Sequence, residues 1–89
     1  MSTSAADLNI LRQELRTMLN DFEREFPNAV EQIATHRRAV EQFCNLRLSG
    51  ADALQKLIQK QVHIKSAIMA TWRSLRRVQY WSKLRKRSL

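Results

Sequence analysis

The sequence predicts an all-α fold, a long antiparallel helical hairpin that associates with itself. Three observations predict it. The chain of 89 residues holds one glycine and one proline, so it is not built on tight β turns. Apolar residues recur at spacings of three and four over two long stretches, which is the repeat of one helix face. Between those stretches lies one short turn signal, Leu46-Arg47-Leu48-Ser49-Gly50. A connection that short makes its flanking helices antiparallel neighbours. An elongated chain of this size, one domain in length, buries little of its own apolar surface, which favours self-association.

The first stretch opens with Ser4 as a cap and Asp7 in the first turn. Leu8, Leu11, Leu15, Met18, Leu19, Phe22 and Phe26 then trace an apolar face, with Arg12, Glu14, Arg16, Asp21, Glu23, Arg24 and Glu25 between them. Pro27 can begin a new helix or kink a continuous one. Steps of three or four carry the face on to Ala29 or Val30, Ile33, Val40 and Cys44 without a skip. The expectation is therefore one bent helix over about 6–47, or two nearly collinear ones, kinked or broken near Pro27. Residues 48–50 form the turn, where Gly50 can take positive φ at no steric cost.

The second stretch, about 51–84, contains no Gly or Pro after Gly50. Ser49 and Asp52 suit its start. Leu54, Leu57, Ile58, Ile64, Ile68, Trp72, Leu75 and Val78 form its apolar stripe, with Leu57, Ile64, Ile68 and Leu75 as core. At about 100° per residue, Lys56, Gln59, Lys60, His63, Ser66, Ala70, Arg73 and Arg77 fall on the opposite side. Trp72 belongs to the stripe; Trp81 falls on the basic side, and Tyr80 and Trp81 are open to a dimer contact, a nucleic acid or a membrane. Beyond Trp81 the basic tail 83–89 is expected to fray.

Charge is divided unevenly. Residues 1–50 carry six arginines against seven acids, net −1; residues 51–89 carry ten lysines and arginines against Asp52 alone, net +9. That asymmetry points to a polyanionic partner, nucleic acid or anionic membrane. A rigid line of cations, Lys56, Lys60, Arg73 and Arg77, with small residues between them, can follow a phosphate backbone closely. Double-stranded RNA has a major groove too deep and narrow for side chains, so proteins read it through phosphates and 2′-hydroxyls, which suits such a line. His63 sits on the same face as a possible phosphate contact, and Arg37 and Arg38 are weaker candidates on the first helix.

Chemistry other than binding finds little footing. His36 and His63 have no partner at a ligand or triad spacing, and one cysteine with two histidines does not make a closed zinc site. No glycine-rich phosphate loop is present. Cys44 lies at an apolar-face position, where cysteine behaves as a small hydrophobe. An enzyme, a cofactor, a metal and a small-molecule substrate are not expected. A single cysteine and the absence of a long apolar run fit a cytoplasmic protein.

Phe26-Pro27 followed by Val30-Glu31-Gln32-Ile33-Ala34, then Val40 and Gln42-Phe43, follows a Leu-Pro and apolar-Glu-Gln-apolar-Ala pattern, and Ser74-Leu75 stands where the same pattern ends in a Ser-Leu pair. On these residues the chain, from Phe26 to Arg76, resembles the small RNA-silencing suppressors of insect nodaviruses. The resemblance implies a helical hairpin that pairs into an antiparallel four-helix bundle in a homodimer. It implies sequence-independent binding along one face of double-stranded RNA, shielding of viral RNA from Dicer and sequestration of short interfering duplexes, in the host cytoplasm. The chain departs from the family in the added segment from Asp7 to Asn20 and in Leu48-Ser49-Gly50 replacing a Pro-Asn turn. Ala70, Asp52 and Val78 stand at family basic positions, and His63 is a partial match to another.

A second reading is a helix for an anionic membrane surface or a partner protein, because Arg76 to Leu89 sets Trp and Tyr among basic residues. It is disfavoured because the best apolar face is needed for the core. A small chaperone or scaffold fits a hairpin but leaves the +9 half unexplained. The Lys83–Arg87 run also suits an RNA contact or a nuclear signal.

Overall fold

The computed structural model describes residues 5–88, and all regular structure in them is helical: α1 (Ala5–Glu25), α2 (Val30–Cys44) and α3 (Ala53–Ser88). The Ser4 cap lies outside the described residues. At about 1.5 Å per residue, α3 is roughly 54 Å long, and it sets the long dimension of a molecule measuring 62 × 18 × 17 Å.

At Pro27 the chain breaks and turns back. Proline has no N–H to continue the ladder and disfavours helical backbone in the residue before it. The last backbone bond of α1 runs from the Phe26 N–H to the Phe22 carbonyl (2.9 Å), and Phe26-Pro27-Asn28-Ala29 closes as a β turn, Ala29 N–H to Phe26 carbonyl 3.1 Å. Proline in second position, with no positive φ outside glycine, is type I geometry. The expected single or collinear helix over 6–47 is thus replaced by two helices folded against each other, and the two-helix hairpin by three packed helices. The apolar phase across Pro27 is continuous, but reversal puts both faces on one core.

Contact register gives the directions. Phe22 meets the ring of His36, with centroids 5.4 Å apart, where a continuous helix would hold these two residues about 21 Å apart, so α2 is folded back along α1, antiparallel to it. Gln61 reaches Leu11 and Glu14, Lys65 reaches Glu14, and Trp72 and Arg76 reach Glu25, so α3 runs parallel to α1. His36 meets Thr71 (3.0 Å) while Phe43 and Leu46 lie beside Lys56 and Lys60, so α2 and α3 are antiparallel.

The core joins Leu15, Leu19, Phe22 and Phe26 of α1 and its turn, Val40 and Phe43 of α2, and Leu57 and Ile68 of α3, with Ile64, Trp72 and Leu75 packed at its edge. Phe22 is its centre: its ring lies 5.3 Å from Phe26 and 5.6 Å from Trp72, both tilted or edge-on, the geometry aromatic quadrupoles favour. Two polar residues are buried with it. His36 fills the step between Ile33 and Val40, with Thr71 as its partner. Gln61 occupies a stripe position between Leu57 and Ile64 and donates to the Leu11 carbonyl and the Glu14 carboxylate, both at 3.0 Å. Left unpaired, such an amide would cost about 1–3 kcal/mol.

Several expected stripe residues lie outside. Ile58, Val78 and Val30 are 42%, 65% and 69% exposed. Ile58 stands off the stripe towards the α1 flank, Val78 lies past the end of the bundle, and Ala29 takes the place Val30 could have held. The turn is longer than 48–50: α2 stops at Cys44 because Leu46 folds in against the core, with its N–H on the Phe43 carbonyl (3.2 Å). Gly50 takes φ +104°. Ser49 makes no cap; α3 begins at Ala53, with its first bonds from Ala53 N–H to Gly50 and Lys56 N–H to Asp52. At the other end α3 runs past the expected limit near 84, and the tail does not fray over 83–88. It continues to Ser88, through residues with good helix propensity and no breaker.

Candidate nucleic-acid interface

The outer side of α3 is fixed by what the inner side must do. Ala53, Leu57, Gln61 and Ile68 are buried, and helical phase then turns Lys56, Lys60, His63, Ser66, Ala70, Arg73 and Arg77 into solvent; all seven are exposed. Lys56 and Arg77 are separated by about 31 Å along the axis. The row is not straight. Lys56, Lys60 and His63 lie on the shoulder towards α2, on the rim of a groove whose other wall is Ala39, Gln42, Phe43 and Leu46. Arg73 stands further round, at a shallow hollow with Ser66, Met69 and Ala70. Arg77 follows one turn beyond it.

These four cations differ from the others near them. Lys56, Lys60, Arg73 and Arg77 have no carboxylate partner among the described residues. Lys65 instead donates to Glu14 (2.7 Å). Arg76 makes two bonds to Glu25, Nε to Oε2 at 2.8 Å and the guanidinium amine to Oε1 at 2.9 Å, while stacking 5.6 Å from the centre of the Trp72 ring. The Trp72 Nε1–H donates to the same carboxylate at 2.6 Å.

The carboxylates record this pairing. The hydrogen bond from Lys65, then that from Gln61, holds the Glu14 carboxyl below its ordinary range. The hydrogen bond from Arg76 does the same for Glu25, against a partial desolvation and with help from Trp72. Arg76 is raised in turn by Glu25. A bidentate arginine–carboxylate pair is the stronger of these two forms. So the helix with ten of the sixteen lysines and arginines spends part of that charge on α1.

Arg37 and Arg38 do not join the row. Arg37 is bonded to Glu23 on the flank of α2 that faces α1, and Arg38 is exposed on the back of α2. His36 belongs to the core, where burial pushes its imidazole below the ordinary 6.5. Gln42 and Gln59 line the groove beside Lys56 and Lys60 and were not among the expected site residues. Gln59 lay on the right face; Gln42 could be found only from the pairing of α2 with α3. Among the described residues no group of three or more His, Cys, Asp or Glu side chains could hold a metal ion. No described helix is long and apolar enough to cross a membrane. Compared with protein-family models, curated proteins and solved structures, the chain matches none.

Proposed function

We propose that this protein binds double-stranded RNA without sequence preference along the outer face of α3, and by doing so suppresses RNA silencing. The observation that carries the binding reading is the row of exposed cations Lys56, Lys60, Arg73 and Arg77 on a single rigid helix, without a carboxylate partner among the described residues. Ser66 and Ala70 between them let a backbone come close. A helix of this length supplies charge at fixed spacing but no base-reading element, so contacts go to phosphates and riboses. The glutamine amides of the adjacent groove suit a 2′-hydroxyl, which can donate and accept. The step from duplex binding to shielding RNA from Dicer and holding short interfering duplexes rests on the resemblance to the nodaviral suppressors between Phe26 and Arg76.

The binding unit is a homodimer in this reading. The chain exposes 6939 Å², whereas a compact monomer of its mass exposes about 5400 Å². That excess exceeds the roughly 800 Å² that each partner of a standard interface buries. Ile10, Val62 and Met69 are exposed beside Met18 on the α1 flank of α3 and give the contact an apolar centre. A pairing there holds six helices in place of four, leaves the Lys56–Lys60 groove open and, because Arg73 shares the hollow of Met18, Val62 and Met69, sets Arg73 at the rim of the contact, where a duplex would have to span both copies. Sedimentation equilibrium at micromolar concentration should give about twice the 10.5 kDa chain mass.

The test of the RNA face is a salt titration with duplex RNA, duplex DNA and single-stranded RNA. Duplex RNA should bind best. Lys60→Ala with Arg73→Ala should weaken binding to all duplex RNA sequences alike and lower the slope of log affinity against log salt by about one per cation removed. Undiminished binding by that folded variant would place the site elsewhere, and equal affinity for all three nucleic acids would leave only charge attraction.

A further inference from the structure

The last three turns of α3 stand outside the bundle. Trp72 and Leu75 are the last side chains of α3 packed on the core, and Arg76 is its last contact with α1. The helix then runs twelve residues further, to Ser88. These turns are not polar. Val78, Tyr80 and Trp81 are 65%, 60% and 59% exposed, and the Tyr80 and Trp81 rings meet each other edge-on at 5.8 Å. No core duty explains them, so the objection that the best apolar face of α3 is needed inside does not reach this segment.

We infer that residues 77–86 form an amphipathic helix that lies on an anionic phospholipid bilayer, with Tyr80, Trp81 and Leu84 at headgroup depth. At about 100° per residue these three fall within one arc of roughly 100°, centred on the side of α3 away from the core. Lys83 flanks the arc on one side and Arg85 on the other, while Lys86, Gln79 and Ser82 lie behind it. Cations flanking an exposed aromatic face are the pattern of a helix lying in the membrane interface. Trp and Tyr are the residues whose apolar rings and polar tips suit that depth. Arg77 lies within the arc at its inner end, and its long stem lets the guanidinium reach the phosphates. From Ala53 to Leu89 the chain contains no acidic residue, so the segment carries no repulsion against an anionic surface. No described helix can cross a bilayer, so the segment lies on it.

Charge alone would suit a nucleic acid equally well; the aromatic arc separates the two. A duplex keeps its bases stacked inside. Two adjacent rings packed edge-on do not offer the spaced, flat platforms on which unpaired bases stack. A second copy is disfavoured because a two-fold contact through this segment would set Arg77, Lys83 and Arg85 against their own equivalents.

The test uses the full chain with phosphatidylcholine vesicles, with and without phosphatidylserine, and with brominated phosphatidylcholine as a depth quencher. Cosedimentation is expected only with phosphatidylserine, and tryptophan emission should be quenched there. Trp81→Phe should abolish most quenching and keep most binding, since Trp72 is packed against Phe22 and Phe26. Tyr80→Ser with Trp81→Ser should lose about tenfold or more in vesicle affinity, with helicity and melting unchanged because both residues are exposed. Four results would overturn the inference: no phosphatidylserine-dependent binding, unchanged vesicle affinity in the serine variant, loss of duplex RNA affinity in that variant, or its conversion from dimer to monomer. Failure here leaves the Lys60 and Arg73 test untouched, because the two variants share no residue.

Discussion

On the flank of α3 that faces α1, Lys65 donates to Glu14 and Arg76 to Glu25; on its outward side Lys56, Lys60, Arg73 and Arg77 meet no carboxylate among the described residues. The same helix therefore carries two populations of cation. The first holds α3 against α1 in register and is electrically spent. The second is available to a partner. Charge summed over a segment overstates the footprint it offers, and the fold decides which part remains. The comparison extends to uncharged positions: Ile68 is wholly buried, while Ala70, two residues on, is exposed among the outward cations.

The largest effect expected from this contrast is at that pair. Ile68→Asp would place an uncompensated charge where the side chain has no exposure, and should cost more than about 4 kcal/mol, enough to unfold a domain of this size. Ala70→Asp should cost under about 1 kcal/mol, mostly helix propensity. It should lower duplex RNA affinity instead if the outward row is the binding face, since it sets a carboxylate among those cations. Urea unfolding and a gel shift on both variants would check this. A folded, unchanged Ile68→Asp protein would mean that the inner face of α3 is misassigned.

Much of this contrast is legible in the sequence. The period of apolar residues marks Leu57, Ile64, Ile68 and Leu75 as the inner side, and the same phase puts Lys56, Lys60, Arg73 and Arg77 outside. The reversal at Pro27 is not legible, because the apolar face runs on in phase whether the chain bends or turns back. Contacts between residues far apart on a continuous helix, Phe22 with His36 and Glu23 with Arg37, decide it. Gln61 looks like a break in the stripe until the Leu11 carbonyl and Glu14 are set beside it. The partition of the cations is hidden for the same reason: the partners of Lys65 and Arg76 are each 51 residues away in sequence.

A smaller effect concerns the inner side alone. His36 is buried against Phe22 and Thr71, and burial holds its folded value below 6.5, its ordinary value in the unfolded chain. Its contribution is whole above pH 6.5 and is lost as pH falls through the folded value, because the unfolded chain takes up the proton first. Glu14 and Glu25 are lowered from 4.5, so their contributions are lost only at pH below 4.5. A fall in stability between pH 6.5 and 4.5 is therefore assigned to His36. His36→Gln should flatten that window in urea titrations and leave the acid limb in place. A pH dependence unchanged by His36→Gln would put its origin on the outer surface.

The smallest expected effect tests the contrast most directly. Glu14→Gln with Lys65→Gln, and separately Glu25→Gln with Arg76→Gln, delete each α1-facing pair without changing net charge. Each pair is already neutral, so its removal releases no counterions when a phosphate backbone arrives, and the salt slope of duplex RNA binding should not change. The neutral amides can still bond one another and accept from Trp72 Nε1–H, so the register of α1 on α3 should survive and helical content with it. Lys60→Ala with Arg73→Ala, by contrast, should lower the slope by about two per chain. If instead deleting either neutral pair lowers the slope as much, Lys65 or Arg76 leaves its glutamate to meet RNA. The glutamates would then act as a latch on the binding surface, and the outward row would lose its claim to be the site.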